Sequence, residues 1–358
     1  MTPLTISRVH ARAANPPMPR PVRTASGALN GAPLLLVDVE TREGVTGRAY
    51  GLGYTTEALG PMVTFLDNLA PVLVGQAAMP ADITQMFAQK FRLLGRQGLV
   101  CIALSVLDMA LWDALGQAAE APVCALLGAA PRPLPAYDSY GLVDPEVDGS
   151  QLEASLAAGF RAIKIKLGAG TAKAEAEQVR RIREIIGQDI LLMVDFNQSQ
   201  TVGDAIQRTR LMEPHGIAWV EEPVPSEDFR GHAEVRAAIS PPVMSGENWW
   251  YAADMAKALS AGACDLAMPD VIKIGGLTGW MQVAGLASAA AVPLSNHTHI
   301  EANAHAMAVV PSAGWFEYLD LASAILTEPL AVVDGTVTAR GPGLGIGWNE
   351  RAVARYLI

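Results

Sequence analysis

The spacing of apolar positions divides the chain into a strand-rich start, a helical stretch and a long alternating remainder. Over residues 3–49 the apolar runs are strand-like: Leu34-Leu35-Leu36-Val37-Asp38-Val39, a Glu43-Gly44 turn, then a second run through residues 45–50, which predicts a meander. Between its strands, residues 16–31 are rich in Pro, Arg, Gly and small side chains and fit either a loose connection or a lid over a site. The period then lengthens to that of helices over residues 56–74 and 80–94. A third helix, around residues 99–117, is apolar on most faces, and its Asp108 and Asp113 favour a buried core helix over a membrane span. These elements predict an α+β first domain over residues 1–125.

After Pro133 short apolar runs alternate with amphipathic helical stretches. The runs cover residues 134–140, 160–166, 190–196, 217–222, 243–248, 265–270, 292–297 and 314–319. Eight βα units in series predict an α/β fold with a closed parallel barrel over residues 126–320. Residues 321–358 are expected to pack back on the first domain. Their Arg340-Gly341-Pro342-Gly343-Leu344-Gly345 stretch lacks the following Lys-Ser/Thr of a phosphate loop.

Lys166, Asp195, Glu221, Glu247, Asp270, His297 and Glu317 each fall at or near the C-terminal end of a run. In a βα barrel those ends converge on one mouth, where catalytic groups sit. Asp195, Glu221 and Glu247 follow one another at intervals of 26 residues, as expected of carboxylates from three successive strands. Such a cluster repels itself unless a cation neutralises it, and oxygen-only ligands suit a hard divalent ion such as Mg²⁺. Three unrelated salt bridges would also place acids there. Glu222 alternates to the other side of its strand and is read as structural. Asp270 and His297 come from neighbouring strands, so the carboxylate can hold one ring nitrogen and leave the other free as a base. His232, His299 and His305 carry no such signal. In Ala162-Ile163-Lys164-Ile165-Lys166 both lysines share one strand face, where like charge and desolvation lower ammonium pKa values. The pair is either solvated or contains a partly neutral base.

Composition narrows the partners. The 358 residues are 51% hydrophobic and 17% charged, with a net charge of −10. That field repels phosphate backbones and anionic lipid, so neither nucleic acid nor membrane is an expected partner. An anionic substrate needs a local positive centre, which a metal ion with Lys164 and Lys166 provides. Cys101, Cys124 and Cys264 are scattered and odd in number, and residues 1–20 contain no apolar leader. A cytoplasmic location is expected.

Several stretches together resemble the mandelate racemase subgroup of the enolase superfamily over essentially the whole chain. They are Leu107-Asp108-Met109-Ala110-Leu111-Trp112-Asp113 with Pro122 to Gly128, Leu192 to Asn197 leading to Val220-Glu221-Glu222-Pro223, the Lys164-x-Lys166 strand, Gly246-Glu247-Asn248, Asp270 with Lys273-Ile274-Gly275-Gly276, and His297. The resemblance implies a modified (β/α)8 TIM barrel with an N-terminal α+β capping domain completed by the C-terminal segment. It implies Mg²⁺, with Mn²⁺ as a substitute, on Asp195, Glu221 and Glu247, and two bases, Lys166 and the His297–Asp270 pair, on opposite faces of the substrate carbon. Lys164 and a protonated Glu317 would bind the substrate carboxylate, with Ser139 and Asn197 as polar contacts. Val22, Leu29 and Tyr54 from the lid and Leu319 from the barrel would form an apolar cluster for an aryl group. Thr298-His299 departs from the apolar residues that follow the histidine in the subgroup's type member, which bears on whether the substrate is mandelate. The expected activity is racemisation of a 2-hydroxy carboxylate, mandelate or a close analogue, through an enolate. Dehydration of an acid sugar by the same residues is the alternative, and a non-catalytic metal-binding barrel is the reading from another class. A homo-oligomer, an octamer by family habit, is implied.

Overall fold

A computed structural model describes residues 3–24 and 27–358. Its first part runs β1 (Ile6–Ala14), β2 (Pro17–Thr24), β3 (Gly27–Gly31), β4 (Leu34–Thr41), β5 (Thr46–Leu52), α1 (Thr56–Leu73), α2 (Pro80–Lys90), α3 (Leu99–Ala118) and α4 (Val123–Leu126). The second runs β6 (Leu134–Leu142), α5 (Pro145–Ala157), β7 (Ala162–Lys166), α6 (Ala172–Ile186), β8 (Leu191–Asp195), α7 (Val202–Met212), β9 (Ile217–Glu221), α8 (Phe229–Ala238) and β10 (Val243–Ser245). Then follow α9 (Tyr251–Ala261), β11 (Leu266–Ala267), α10 (Gly276–Ala290), α11 (Ile300–Ala308), β12 (Phe316–Tyr318), β13 (Thr336–Val337) and α12 (Glu350–Tyr356).

The three-stranded sheet is antiparallel in the order β1-β4-β5. Residues 16–31 are not a loose connection: β2 and β3 pair as a hairpin of their own, with Val22 opposite Leu29. This hairpin lies on β6. Arg20 pairs with Asp138 at 2.5 Å and stacks on the Tyr140 ring, and Arg23 pairs with Asp148. The approach is close at Gly141, where a Cβ would overlap the backbone of Arg23. Gly141→Ala is therefore expected to unseat the hairpin, which faster tryptic cleavage after Arg23 would report, with little change in the melting of the barrel.

The helix predicted at residues 80–94 stops at Lys90. Helix α3 is long and apolar enough to cross a membrane, but it is largely buried against β4, β5, α1 and α10. Its Asp113 ties the chain ends together: Oδ2 accepts the Arg48 amide N–H at 2.7 Å and Oδ1 the Leu344 N–H at 2.6 Å. Burial pushes this carboxyl up to about 7 despite those donors. The C-terminal segment also meets the first part through bridges Pro122–Gly343 and Ala14–Leu357. Asp113→Ala strands two buried N–H groups and is expected to destabilise the protein by about 2–5 kcal/mol, measured by urea unfolding.

The larger sheet runs in the order β11-β10-β9-β8-β7-β6-β12 with parallel neighbours, and β13 adds antiparallel to β6. Seven of the eight predicted runs are strands. Residues 292–297 instead close the ring through isolated bridges, Ala267–Leu294, Asp270–His297 and Leu294–Ala313. Pro293 has no N–H to give, and the Asn296 side chain replaces the ladder beside β12: its Oδ1 accepts the Glu317 N–H at 3.0 Å and its Nδ2 donates to Glu317 O at 3.2 Å. Register then levels the strand ends. Lys166 pairs with Asp195, Asp195 with Glu221, and Glu221 with Met244 just before Gly246-Glu247.

Candidate active site

Side chains of alternate strand residues share a face, so the level register brings Lys164, Lys166, Asp195 and Glu221 into one buried cluster at the barrel mouth. Lys164 Nζ lies 2.6 Å from Glu317 Oε1, 2.9 Å from Glu221 Oε1 and 3.8 Å from Asp195 Oδ2. Lys166 Nζ donates to Asp195 Oδ2 at 2.6 Å. Burial would lower both ammonium pKa values, but Glu221 and Glu317 hold Lys164 well above its ordinary value and Asp195 raises Lys166. Lys164 and Lys166 are therefore not a solvated pair: both lie against buried carboxylates, with Asp195 near each of them.

Asp195, Glu221 and Glu247 each present an oxygen within 4.8 Å of the others. Asp195 also accepts the Asn197 N–H at 2.7 Å and the Asn197 side-chain amide at 3.0 Å. Asn197, with φ of 44°, therefore fixes a carboxylate of the cluster. The Oε2 atoms of Glu221 and Glu247 are buried and have no hydrogen-bond partner among the described residues. Burial, reinforced by Asp195, Glu247 and Glu317, outweighs Lys164 and pushes the Glu221 carboxyl up to about 8. Unspent oxygens in a crowded set of three acids fit a hard divalent cation.

The Asp270–His297 pair forms as expected. His297 Nδ1 lies 2.8 Å from Asp270 Oδ2, and Nε2 is 3.1 Å from Glu247 Oε2 without the geometry of a hydrogen bond. Burial opposes protonation of His297, yet Glu247 and Asp270 raise it to about 9. Burial likewise opposes ionisation of Asp270, and the His299 and His297 rings overcome it to hold that carboxyl well below the usual range.

Glu317 lies in the same cluster. Its Oε1 accepts the Ser139 hydroxyl at 2.8 Å and sits on Lys164, while Oε2 accepts the Thr298 N–H at 2.8 Å. Against burial, Lys164 and His297 bring its carboxyl down to about 2. Ser139 and Thr298 act on Glu317. His299 Nε2 accepts the Leu52 N–H at 3.1 Å, and its Nδ1 lies 2.7 Å from the Thr298 hydroxyl oxygen.

Glu222 was read as pointing away, and the structure corrects that too. Its φ of 36° breaks strand alternation and turns the carboxylate to the cluster, where Oε2 accepts from Asn248 Nδ2 at 2.8 Å. Burial, then Glu247 and Asp195, push its carboxyl well up. Asn248 Nδ2 also reaches Glu247 Oε1 at 3.1 Å, and Lys273 Nζ donates to Asn248 Oδ1 at 2.6 Å. Lys273 is a member of the site that the strand-end pattern does not mark; its place three residues after Asp270, one turn on, is the signal for it. Tyr54, expected only as an apolar wall, donates its hydroxyl to Asp270 Oδ2 at 3.0 Å and offers its ring to Lys273. Val22 is buried in the core, and Leu29, Tyr54 and Leu319 pack against that same cluster.

Residues 8–128 match the family described as mandelate racemase / muconate lactonizing enzyme, N-terminal domain, and residues 149–352 match that described as enolase C-terminal domain-like. A crystal structure of an enolase from Bradyrhizobium complexed with magnesium and mandelic acid superposes with a TM-score of 0.98 at 49% identity, covering 100% of this chain and 99% of that one. The 3,6-anhydro-α-L-galactonate cycloisomerase of Streptomyces coelicolor is 34% identical over 99% of both chains. The L-talarate/galactarate dehydratase of Salmonella typhimurium is 28% identical over 89% of this chain and 81% of its own. With a TIM barrel of the enolase type under its cap and both halves matched, this chain is an enzyme of the enolase superfamily, in the mandelate racemase subgroup.

Proposed function

We propose that the enzyme racemises a 2-hydroxy carboxylate, mandelate or a close analogue, with Mg²⁺ on Asp195, Glu221 and Glu247. One observation carries the reading: the two candidate bases contact opposite ends of the acid row, Lys166 on Asp195 and His297 beside Glu247. A carbon held over that row has a base on each side. Bound there, the cation supplies Lewis-acid charge to the substrate carboxylate. Lys164 adds a buried positive charge at the same end of the site, and the Glu317 carboxylate anchors Lys164 in place.

The chemistry demands both orientation and charge. Each unit of pKa mismatch between base and carbon acid costs about 1.4 kcal/mol, so a gap of ten units costs on the order of 14 kcal/mol. Orientation can supply roughly 7–11 kcal/mol of that. Charge stabilisation of the enolate supplies the remainder. One base removes the α-proton from its face and the other returns a proton to the opposite face. Lys166 is held protonated mainly by Asp195, and a cation on Asp195 would weaken that hold.

An apolar substrate group is favoured because the polar residues beside His297 are satisfied within the protein. The Thr298 hydroxyl and both ring nitrogens of His299 have protein partners and ask for no polar group on the substrate, and the reading assigns Val22, Leu29, Tyr54 and Leu319 as its apolar contacts. The Bradyrhizobium neighbour, which carries mandelic acid, supports the same choice. The test is incubation of each enantiomer of a 2-hydroxy acid panel with Mg²⁺ in D₂O. Racemisation with α-deuteration bears out the reading; 2-keto acid from acid sugars without racemate replaces it with dehydration; inertness across the panel removes both.

A further inference from the structure

Beyond the pair of bases, the end of β5 and the turn that follows it touch the second half of the chain at three alternate residues, Tyr50, Leu52 and Tyr54. The Tyr50 hydroxyl donates to Glu301, the Leu52 N–H donates to His299 Nε2 at 3.1 Å, and the Tyr54 hydroxyl donates to Asp270 Oδ2 at 3.0 Å. A ring nitrogen that accepts an N–H carries no proton, so the proton of the His299 ring is on Nδ1. That atom stands 2.7 Å from Thr298 Oγ1 and 3.4 Å from Asp270 Oδ1. The ring is buried, lies against Tyr50 with centroids 5.8 Å apart, and springs from a left-handed backbone with φ of 45°. Asp270 is thereby held on both oxygens: Oδ2 by His297 and Tyr54, Oδ1 by the Ile272 N–H at 3.0 Å with His299 beside it.

We propose that His299 is a positioning residue that links the Leu52 amide of the capping domain to Asp270, so that docking of the cap aims the His297 ring at its face of the substrate. The inference deepens the racemase reading and rests on it for its catalytic consequence. Cap and base are then one mechanical unit, while Lys166, held by Asp195 on the other side, lies outside that chain of contacts. His299 touches no reacting atom in this scheme. It acts through Asp270.

Two isosteres separate the two edges of the ring. His299→Gln keeps an acceptor near the Nε2 position and loses the Nδ1 donor; His299→Asn keeps a donor near Nδ1 and loses the acceptor. In D₂O with Mg²⁺, each enantiomer of mandelate reports one face through α-deuteration. His299→Gln, which breaks the link at Asp270, and His299→Asn, which breaks it at Leu52, are each expected to slow exchange on the His297 face roughly 10- to 100-fold while the Lys166 face stays within about 3-fold. Equal losses on both faces, or none on either, overturn the proposal. Ring ¹⁵N resonances of His297 in the resting protein give a readout that needs no substrate: they should move in both variants, and unmoved signals also overturn the proposal. A wild-type protein inert toward mandelate would count against the racemase reading, with the resonance measurement still deciding the role of His299. Should His299→Gln not fold, His299→Phe keeps the packing against Tyr50, loses both nitrogens and is read in the same way.

Discussion

His297→Asn is expected to abolish racemisation while leaving α-deuterium exchange on the one enantiomer that faces Lys166. The substitution removes Nε2, the ring atom nearest the acid row, and keeps a polar group near Nδ1 to satisfy Asp270. Loss of a positioned base costs roughly 10²- to 10⁴-fold in proton transfer, and racemisation needs both transfers, so the whole loss appears in turnover. Lys166 stands on Asp195, across Glu221 from Glu247, and has no contact with the His297 ring to lose. Its half-reaction should therefore survive within a few-fold, read by ¹H NMR of each enantiomer in D₂O. Exchange lost on both faces would mean that the two groups do not act as separate bases.

The second large effect is on the cation. Glu221→Gln is expected to lower Mg²⁺ affinity at least about 100-fold by titration calorimetry, since one of three anionic ligands becomes a neutral amide. Stability should respond in the opposite way in the absence of metal. Glu221 is pushed up to about 8 by burial and by neighbouring acids. A carboxyl whose folded pKa exceeds its unfolded value stabilises the fold at low pH, and that contribution fades as pH rises from about 4.5 to about 8. Metal-free wild-type protein should accordingly lose stability across this window, and the glutamine variant should lose less. Mg²⁺ at about 100 times its Kd should return roughly 2.7 kcal/mol to the wild type and almost none to the variant. Because binding displaces the proton, Mg²⁺ affinity of the wild type should rise with pH over the same window. A pH-independent affinity would show that Glu221 holds no proton there to displace.

Much of this arrangement is written in local pattern. Seven strands and the cap helices follow from apolar period. The placement of Asp195, Glu221, Glu247, Asp270 and His297 at strand ends follows from the same alternation, because parallel neighbours in register put equivalent positions at one height. The run at residues 292–297 is not a regular strand for a local reason as well: Pro293 lacks an N–H, and the Asn296 side chain makes hydrogen bonds that backbone would otherwise make.

What the sequence by itself determined is the barrel, the acid row at its mouth and the His297–Asp270 pair, since each depends on period and spacing within one or two adjacent units. Only the tertiary structure decided the charge state of the cluster and the aim of its members. The partners of Lys164 come from β8, β9 and β12, and electrostatic energy sums over all of them at distances no spacing reveals. A single positive φ at Glu222 sent a side chain to the face opposite the one alternation assigns. The Leu52–His299 bond joins residues 247 positions apart, so the tie between the cap and a base exists only once the two halves have packed together.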